Sequence, residues 1–481
     1  MRNPEINHVR GRRLAELLEP WVRDRRPSSE GVRTGVRRLV LDGRLAPGTR
    51  LPAERELAEA LGASRTLVVR AWELLRADGY VASRRSAGSW IVLPEAVAGT
   101  AGSGGWFPRG SESFDLAHAT PPAPPEIADV VDRVRPRLVE QLRGHGNELR
   151  GLSALRERIA ARFEQRGLPT SPDQILVTNG AQHAFALVLR TLLAPGERVL
   201  VEHPTYPNAP EAIRGAHGVP VPVPMDEGGW DVDSVEATLR QASPRLAYLM
   251  PDFQNPTGVR MDSAGRRQLA AALRKTRTAA VIDETFVDVD LSGQGPPPPM
   301  AAFAEEQVIT IGSASKSFWG GLRIGWIRAP EELVGRMVFA RAALDMGTPV
   351  LEQLVLAELL QDPEPALERL RAEWARRRDG LIDALRANAP SWRWRVPDGG
   401  LSLWCDLGSP VGSRLAVSAE QHGVRIASGS RFAVQGSLER YVRLPYTLAP
   451  EDLDEAVRRV ALAAAALGQP ADQHPSEAPV T

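Results

Sequence analysis

Of the 59 basic residues in this sequence, only Lys275 and Lys316 are lysines; the rest are arginines. A guanidinium cannot form an imine, so a lysine kept against such a bias marks a place to look for amine chemistry. Lys316 stands in SASKSFWGGLRIGW, after an apolar run that reads as a strand, with Ser313 before it and two glycines and Arg323 after it. An amine between a hydroxyl and a bidentate cation suits pyridoxal 5′-phosphate: Lys316 forms the Schiff base, and Ser313 and Arg323 bind phosphate. Four other segments could complete such a site. In LVTNGAQH (176–183) a strand passes into a helix through Gly180, and the backbone N–H groups of Ala181 and Gln182 would meet the phosphate at the helix start. EHPTYPN (202–208) sets Tyr206 after a strand, where its ring can stack on the pyridine, and in FQNPTG Asn255 can donate to the ring oxygen O3′. In VIDETF, Asp283 ends a buried strand and can pair with the protonated ring nitrogen, which keeps the ring an electron sink. Late in the chain, YVRLPY puts Arg443 on a strand, suited to gripping a substrate carboxylate.

These residues need a rigid frame. Apolar strand candidates at Gln174–Val177, Arg198–Glu202, Leu246–Met250, Ala279–Asp283 and Val308–Gly312 alternate with helical patterns. Such alternation predicts an α/β body with a mostly parallel sheet and helices on both faces. A length of 481 residues suits two or three domains at about 150 residues each. The expected division is a head over 1–94, a flexible Gly/Ala/Ser-rich linker over 95–112, the body over 113–468 and a disordered polar tail over 469–481. Pro296–Pro299 reads as a rigid surface loop. A single cysteine, Cys405, excludes a disulfide framework and any multi-cysteine zinc site, and no metal site is expected. Apolar runs are too short for a membrane span, and no apolar stretch follows the basic N-terminus as a secretory signal would, so the expected location is the cytoplasm.

Formal charge sums to zero over the chain but not over its parts. Residues 1–94 hold 18 arginines against 11 acids, a surplus of 7, so the remainder carries −7. A basic head on an acidic body points to an anionic partner for the head. Helical patterns cover about 10–24, from Val32 to Val40, 53–61 and 65–77, the last with Ser64 as N-cap; short strands follow at Tyr80–Ser83 and Ser89–Leu93. Helices followed by two strands around a basic turn describe a winged helix-turn-helix, about 31–94. Its second motif helix would enter the major groove of double-stranded DNA with Ser64, Arg65 and Thr66 at the base edges and Arg70 one turn on.

The segment LDGRLAPGTRLPAERELAEALGASRTLVVRAWELLRADGYVASRRSAGSWIV also resembles the GntR-type winged helix-turn-helix. That resemblance implies DNA contacts from Arg55 on the preceding helix and places Arg84, Arg85 and Gly88 on the wing. Residues 113–465 resemble fold-type I, class I aminotransferases, and the whole chain is similar to the MocR-like regulators, in which such a head is fused to an aminotransferase-like body. The resemblance implies a homodimer, each head associated with the partner's body, binding an operator of paired half-sites. Two positions depart from the aminotransferase pattern: Phe286 stands where a tyrosine commonly donates to O3′, and His145 where a tyrosine often reaches the phosphate from the neighbouring subunit. Two functions follow. One is a transcriptional regulator that senses an amine, an amino acid or the cofactor itself; the other is a working aminotransferase carrying a DNA-binding head.

Overall fold

A computed structural model describes residues 8–22, 27–41, 44–45, 49–84, 88–92, 113–434 and 437–468. The linker expected at 95–112, the tail at 469–481 and Arg85 lie outside the described residues, and of Arg84 only the backbone lies within them.

In the head, α1 (Gly11–Val22), α2 (Ser29–Leu41), α3 (Glu54–Leu61) and α4 (Arg65–Ala77) precede β1 (Val81–Arg84) and β2 (Gly88–Ile91). The strands pair antiparallel, Val81 opposite Ile91 and Arg84 opposite Gly88. Helical spacing puts Leu14, Leu18, Val36, Leu57 and Trp72 on faces that meet in one buried core, closed by Ile91. The turn between α3 and α4 is set locally: Gly62 adopts φ 60°, and the Ser64 hydroxyl accepts from the Leu67 N–H at 3.2 Å.

The body holds two sheets. After β3 (Phe114–Leu116) come β4 (Ile175–Thr178), β5 (Arg198–His203), β6 (Val219–Asp226), β7 (Gly229–Trp230), β8 (Leu246–Leu249), β9 (Ala279–Asp283), β10 (Val308–Ser313) and β11 (Gly325–Arg328). Strands β4 to β11 form an eight-stranded sheet in the order β4-β11-β10-β9-β8-β5-β6-β7. The run from β10 through β9, β8 and β5 to β6 is parallel, while β11 lies antiparallel between β4 and β10 and β7 is antiparallel at the edge. Successive strand residues bury into different cores: Leu200, Ala247, Ala280 and Ile282 into one, Val199, Val201, Tyr248 and Val281 into the other. Strands covered on both faces are apolar throughout, hence the unbroken hydrophobic runs in the sequence.

A second, five-stranded sheet is a finding beyond the sequence reading. With β12 (Arg393–Trp394), β13 (Ser402–Asp406), β14 (Val424–Ser428) and β15 (Tyr441–Pro445), its order is β12-β13-β15-β14-β3. It joins both ends of the body, since β3 pairs parallel with β14, Phe114 opposite Val424. The helix Gly412–Gln421 lies over β14 and also touches the head: Arg38 of α2, only 5% exposed, reaches Glu420 at 3.3 Å. Among the described residues no helix is long and apolar enough to cross a membrane.

Candidate functional site

The parallel strands end at one edge of the large sheet, where ligands of open α/β folds gather. A cavity of about 340 Å³ opens there. Strand β9 ends at Asp283 and β10 at Ser313; Lys316 follows in a turn of π-helix, Ser315–Trp319, before the chain returns through β11. Ala181 and Gln182 begin the helix Ala181–Leu192 behind β4. Tyr206 follows β5 and Asn255 follows β8, each close to a cis peptide bond, His203–Pro204 and Asn255–Pro256. Of the residues singled out for the cofactor, all but Gly180 line this cavity, and Arg443 joins them from β15 of the small sheet. Gly180 shapes the cavity from behind: its φ is 88°, and a Cβ there would stand 2.9 Å from the Arg323 guanidinium, which donates to Asn179 O at 3.1 Å.

Electrostatics divide the cavity. Lys316 Nζ donates to Ala119 O at 2.6 Å. Burial, helped by the positive charges of Arg443 and Arg323, pushes its pKa down to about 8 from the ordinary 10.5, against the pull of Asp283. Half of the amine is therefore unprotonated near pH 8, and covalent capture of an aldehyde by the cofactor-free protein should rise through pH 8 rather than two units higher. Mass spectrometry of Lys316 against pH checks this; a midpoint above 10 would contradict it. Asp283 accepts from Tyr248 Oη at 2.7 Å and from the Thr285 N–H at 2.9 Å. Burial raises its pKa, and those hydrogen bonds oppose the rise. Burial also raises the Tyr206 phenol, with Asp283 adding to it; the phenol oxygen accepts from Asn208 Nδ2 at 2.8 Å. Arg443 donates to Asn255 Oδ1 at 3.1 Å and to Ala117 O, and its buried Nε has no partner.

Some positions went unnoticed in the sequence. Tyr248, Asn208, His118 and Arg431 also line the cavity. A lone phenol in the apolar run Leu246–Leu249 was the available signal for Tyr248. His118 arrives with β3, far away in sequence, and its Nδ1 lies 2.7 Å from Asp115 Oδ2. Phe286 lines the cavity with its ring 5.8 Å from Lys316 Nζ. His145 is exposed and outside the cavity of its own chain.

On the head, Arg55, Ser64, Arg65, Thr66 and Arg70 are all exposed on α3, at the turn and on α4. The Ser64 hydroxyl is engaged as the helix cap, and Arg70 lies 3.1 Å from Glu73. Gly88 has φ 84°, and a Cβ there would sit 3.3 Å from the Arg50 side chain, so this glycine has a backbone role in the hairpin.

A two-sheet α/β body with a half-buried lysine at the strand ends, preceded by a winged helix, defines a fold-type I aminotransferase-like protein with a DNA-binding type of head. The chain belongs to the aminotransferase class I and II family, whose model matches residues 127–460, and residues 28–91 match the bacterial regulatory proteins of the gntR family. This is the arrangement of the MocR-like regulators. The uncharacterized HTH-type transcriptional regulator YisV of Bacillus subtilis is 26% identical over 92% of this chain and 98% of its own. The 2-aminoadipate transaminase of Thermus thermophilus is 32% identical over 62% of this chain and 77% of its own. Among solved structures, LysN of Thermus thermophilus, an alpha-aminoadipate aminotransferase complexed with N-(5′-phosphopyridoxyl)-L-leucine, superposes with a TM-score of 0.67 at 30% identity, covering 74% of this chain and 93% of that one.

Pyridoxal 5′-phosphate is the cofactor of this family, and the residues present fit it. A half-buried amine of lowered pKa lines the same cavity as a buried carboxylate. At the phosphate end, first-turn amides of the helix Ala181–Leu192 have no partners within the helix, and Arg323 stands beside them at Asn179.

Proposed function

We propose that this chain is a pyridoxal-phosphate-dependent transcriptional regulator that binds paired half-sites on DNA as a homodimer and changes that binding when an amino compound enters the cavity. One observation carries the reading: the helix Gly412–Gln421 meets the head at one end and the cavity wall at the other. Glu420 faces Arg38, while Ser413 Oγ lies 2.9 Å from Ser430 Oγ, next to the cavity residue Arg431. The contact leaves Arg65, Thr66 and Arg70 exposed, so the docked head keeps a face for DNA. Large apolar side chains on the body, Phe339 at 86% and Leu142 at 72% exposed, favour a dimer.

In this reading Lys316 holds the cofactor covalently, Asp283 faces the ring nitrogen with Tyr248 fixing its carboxylate, and Tyr206 covers the ring. Asn255 meets O3′ without a neighbouring phenol at Phe286. Ser313, Arg323 and the amides of Ala181 and Gln182 bind the phosphate, and Arg443 grips a ligand carboxylate. The cofactor, when bound, supplies an aldehyde that exchanges amines and a ring that accepts electrons. With the cofactor bound, Lys316, just after β10, would be its amine partner and Arg443, on β15, would hold a ligand carboxylate, so a ligand would bear on residues of both sheets.

A ligand shifts DNA affinity only through its differential affinity for two states, commonly about 1–3 kcal/mol. The test is Glu420→Gln in the full-length protein. An amino compound that perturbs the cofactor spectrum should still do so, but its effect on DNA affinity should fall at least about threefold as the ion pair is lost. An undiminished DNA response would remove this helix from the coupling. Many rapid turnovers of transamination at constant DNA affinity would favour an aminotransferase instead.

At the DNA, Arg65→Lys keeps the charge and loses the planar fork. Its discrimination against a wrong base should drop by about 1–3 kcal/mol, with non-specific affinity little changed. Binding measured on an in vitro selected site and on random DNA decides this; equal losses on both would make Arg65 a phosphate contact.

A further inference from the structure

We propose that Arg10 and Arg50 form a phosphate-binding strip for duplex DNA that joins the wing to α3 and widens the footprint of the head beyond the helix-turn-helix. The proposal rests on the DNA-binding reading above and adds a contact from residues 8–10, which precede the gntR-family match at 28–91. Arg50 stands opposite Trp90 of β2, with the Leu51 N–H donating to Ser89 O and the Ile91 N–H to Thr49 O, both at 2.9 Å. On the other side of Arg50, His8 pairs with it in parallel, and the Val9 N–H donates to Arg50 O at 3.1 Å. Two short segments thus extend the wing. Side chains alternate along such segments: Val9, Thr49 and Leu51 are buried, whereas His8, Arg10 and Arg50 are exposed. Arg10 and Arg50 therefore share the outer face with Gly88, where a Cβ would lie 3.3 Å from Arg50 Nε. Just beyond Arg10 the chain is pinned to α3: the Gly11 N–H donates at 2.6 Å to Oε1 of Glu56, the residue after Arg55.

Charge is left open along this line. Most described arginines of the head are answered from within the chain: Arg12 and Arg13 by Glu16, Arg33 by Asp78, Arg70 by Glu73. Among the described residues of the head, four arginine side chains have no hydrogen-bonding, ionic or aromatic partner, namely Arg10, Arg50, Arg55 and Arg65. Two of the four, Arg55 and Arg65, are the cations that the helix-turn-helix would bring to DNA. The other two fill the interval between α3 and the wing. A duplex that takes the start of α4 into its major groove and meets the wing beside it runs past that interval. An exposed guanidinium with no partner gives up no ion pair on meeting a phosphate, whereas Arg70 would have to leave Glu73. Arg10 and Arg50 project from sheet segments and not from the helix that enters the groove, so they meet the backbone and carry no base readout.

The experiment is DNA binding by the full-length protein carrying Arg10→Gln and Arg50→Gln together, measured against salt on an in vitro selected site and on random-sequence duplex. The slope of log affinity against log salt should become shallower by about 0.9 for each lost phosphate contact, about 1.8 for the pair. At fixed low salt the loss of affinity should be the same on both DNAs to within about twofold, because phosphate contacts carry no sequence information. Lysine at both positions keeps the point charges and should retain the wild-type slope. Arg76→Gln, at the far end of α4 from Arg65, controls for the overall charge of the head and should leave the slope unchanged. An unchanged slope in the double glutamine variant, a loss confined to the selected site, or an equal loss in Arg76→Gln overturns the proposal. So does a double variant with wild-type DNA binding and a weakened dimer, which would give the strip to the acidic body of a second copy. A wild type that binds no duplex takes down the DNA-binding reading and the strip together. Binding that depends on Arg65 while the double variant keeps its slope removes the strip alone.

Discussion

Replacing Lys316 with alanine should strip the protein of its visible absorption on gel filtration and leave its DNA affinity indifferent to every amino compound. In the proposed site the remaining contacts, Arg323 and the helix start at the phosphate and Asp283 at the ring, would hold the cofactor reversibly. Without a covalent bond, retention should weaken by roughly a hundredfold or more, equivalent to about 3 kcal/mol. In the wild type, borohydride should fix the cofactor on the peptide that contains Lys316. Lys275 is the natural control, since its Nζ lies on the surface 2.6 Å from Glu236 Oε1, far from any strand end of the cavity. Fixation at Lys275, or an unchanged spectrum in Lys316→Ala, would defeat the assignment.

Trp72→Ala should abolish DNA binding without disturbing the cofactor. Trp72 is 1% exposed within the head core, on the helix that packs against α2, α3 and β1. Removing a buried tryptophan costs about 3–5 kcal/mol. A domain this small has only a few kcal/mol of stability to lose. No hydrogen-bond partner is orphaned by the change, because the buried Trp72 Nε1 has none. Calorimetry should show the head transition lowered or missing while the body transition and the cofactor absorption persist. A head that melts as in the wild type would mean that its core tolerates the cavity.

How much of this was legible in the sequence depended on distance along the chain. Lys316, Asp283, Ser313 and the Gly180 turn could be singled out because each stands at or just beyond the end of a strand and carries its chemistry within a few residues. The head was readable for a related reason: its helices bury a stripe of period 3.6 into a core made from adjacent segments. The small sheet was not, because its strands are two to five residues long and β3 finds β14 only after the whole large sheet has intervened. His118 is carried into the cavity by that same long-range pairing and was lost with it. Arg431 was hidden differently: in a chain with 57 arginines, one more in a loop carries no signal until the fold turns it inward. Gly88 and Ser64 carry a second signal that the sequence reading did not separate from the first. Residues assigned to DNA contact also have local backbone duties, a hairpin at positive φ and a helix cap.

The contact between Arg38 and Glu420 has a consequence for ionic strength. DNA binding by a basic head draws on counterion release, so it falls steeply as salt rises. Arg38, almost wholly buried beside Glu420, is shielded from the same ions. Salt should therefore detach the protein from DNA well before it loosens the head from the body, and a regulator released in this way leaves its site with its head still docked on the aminotransferase-like body.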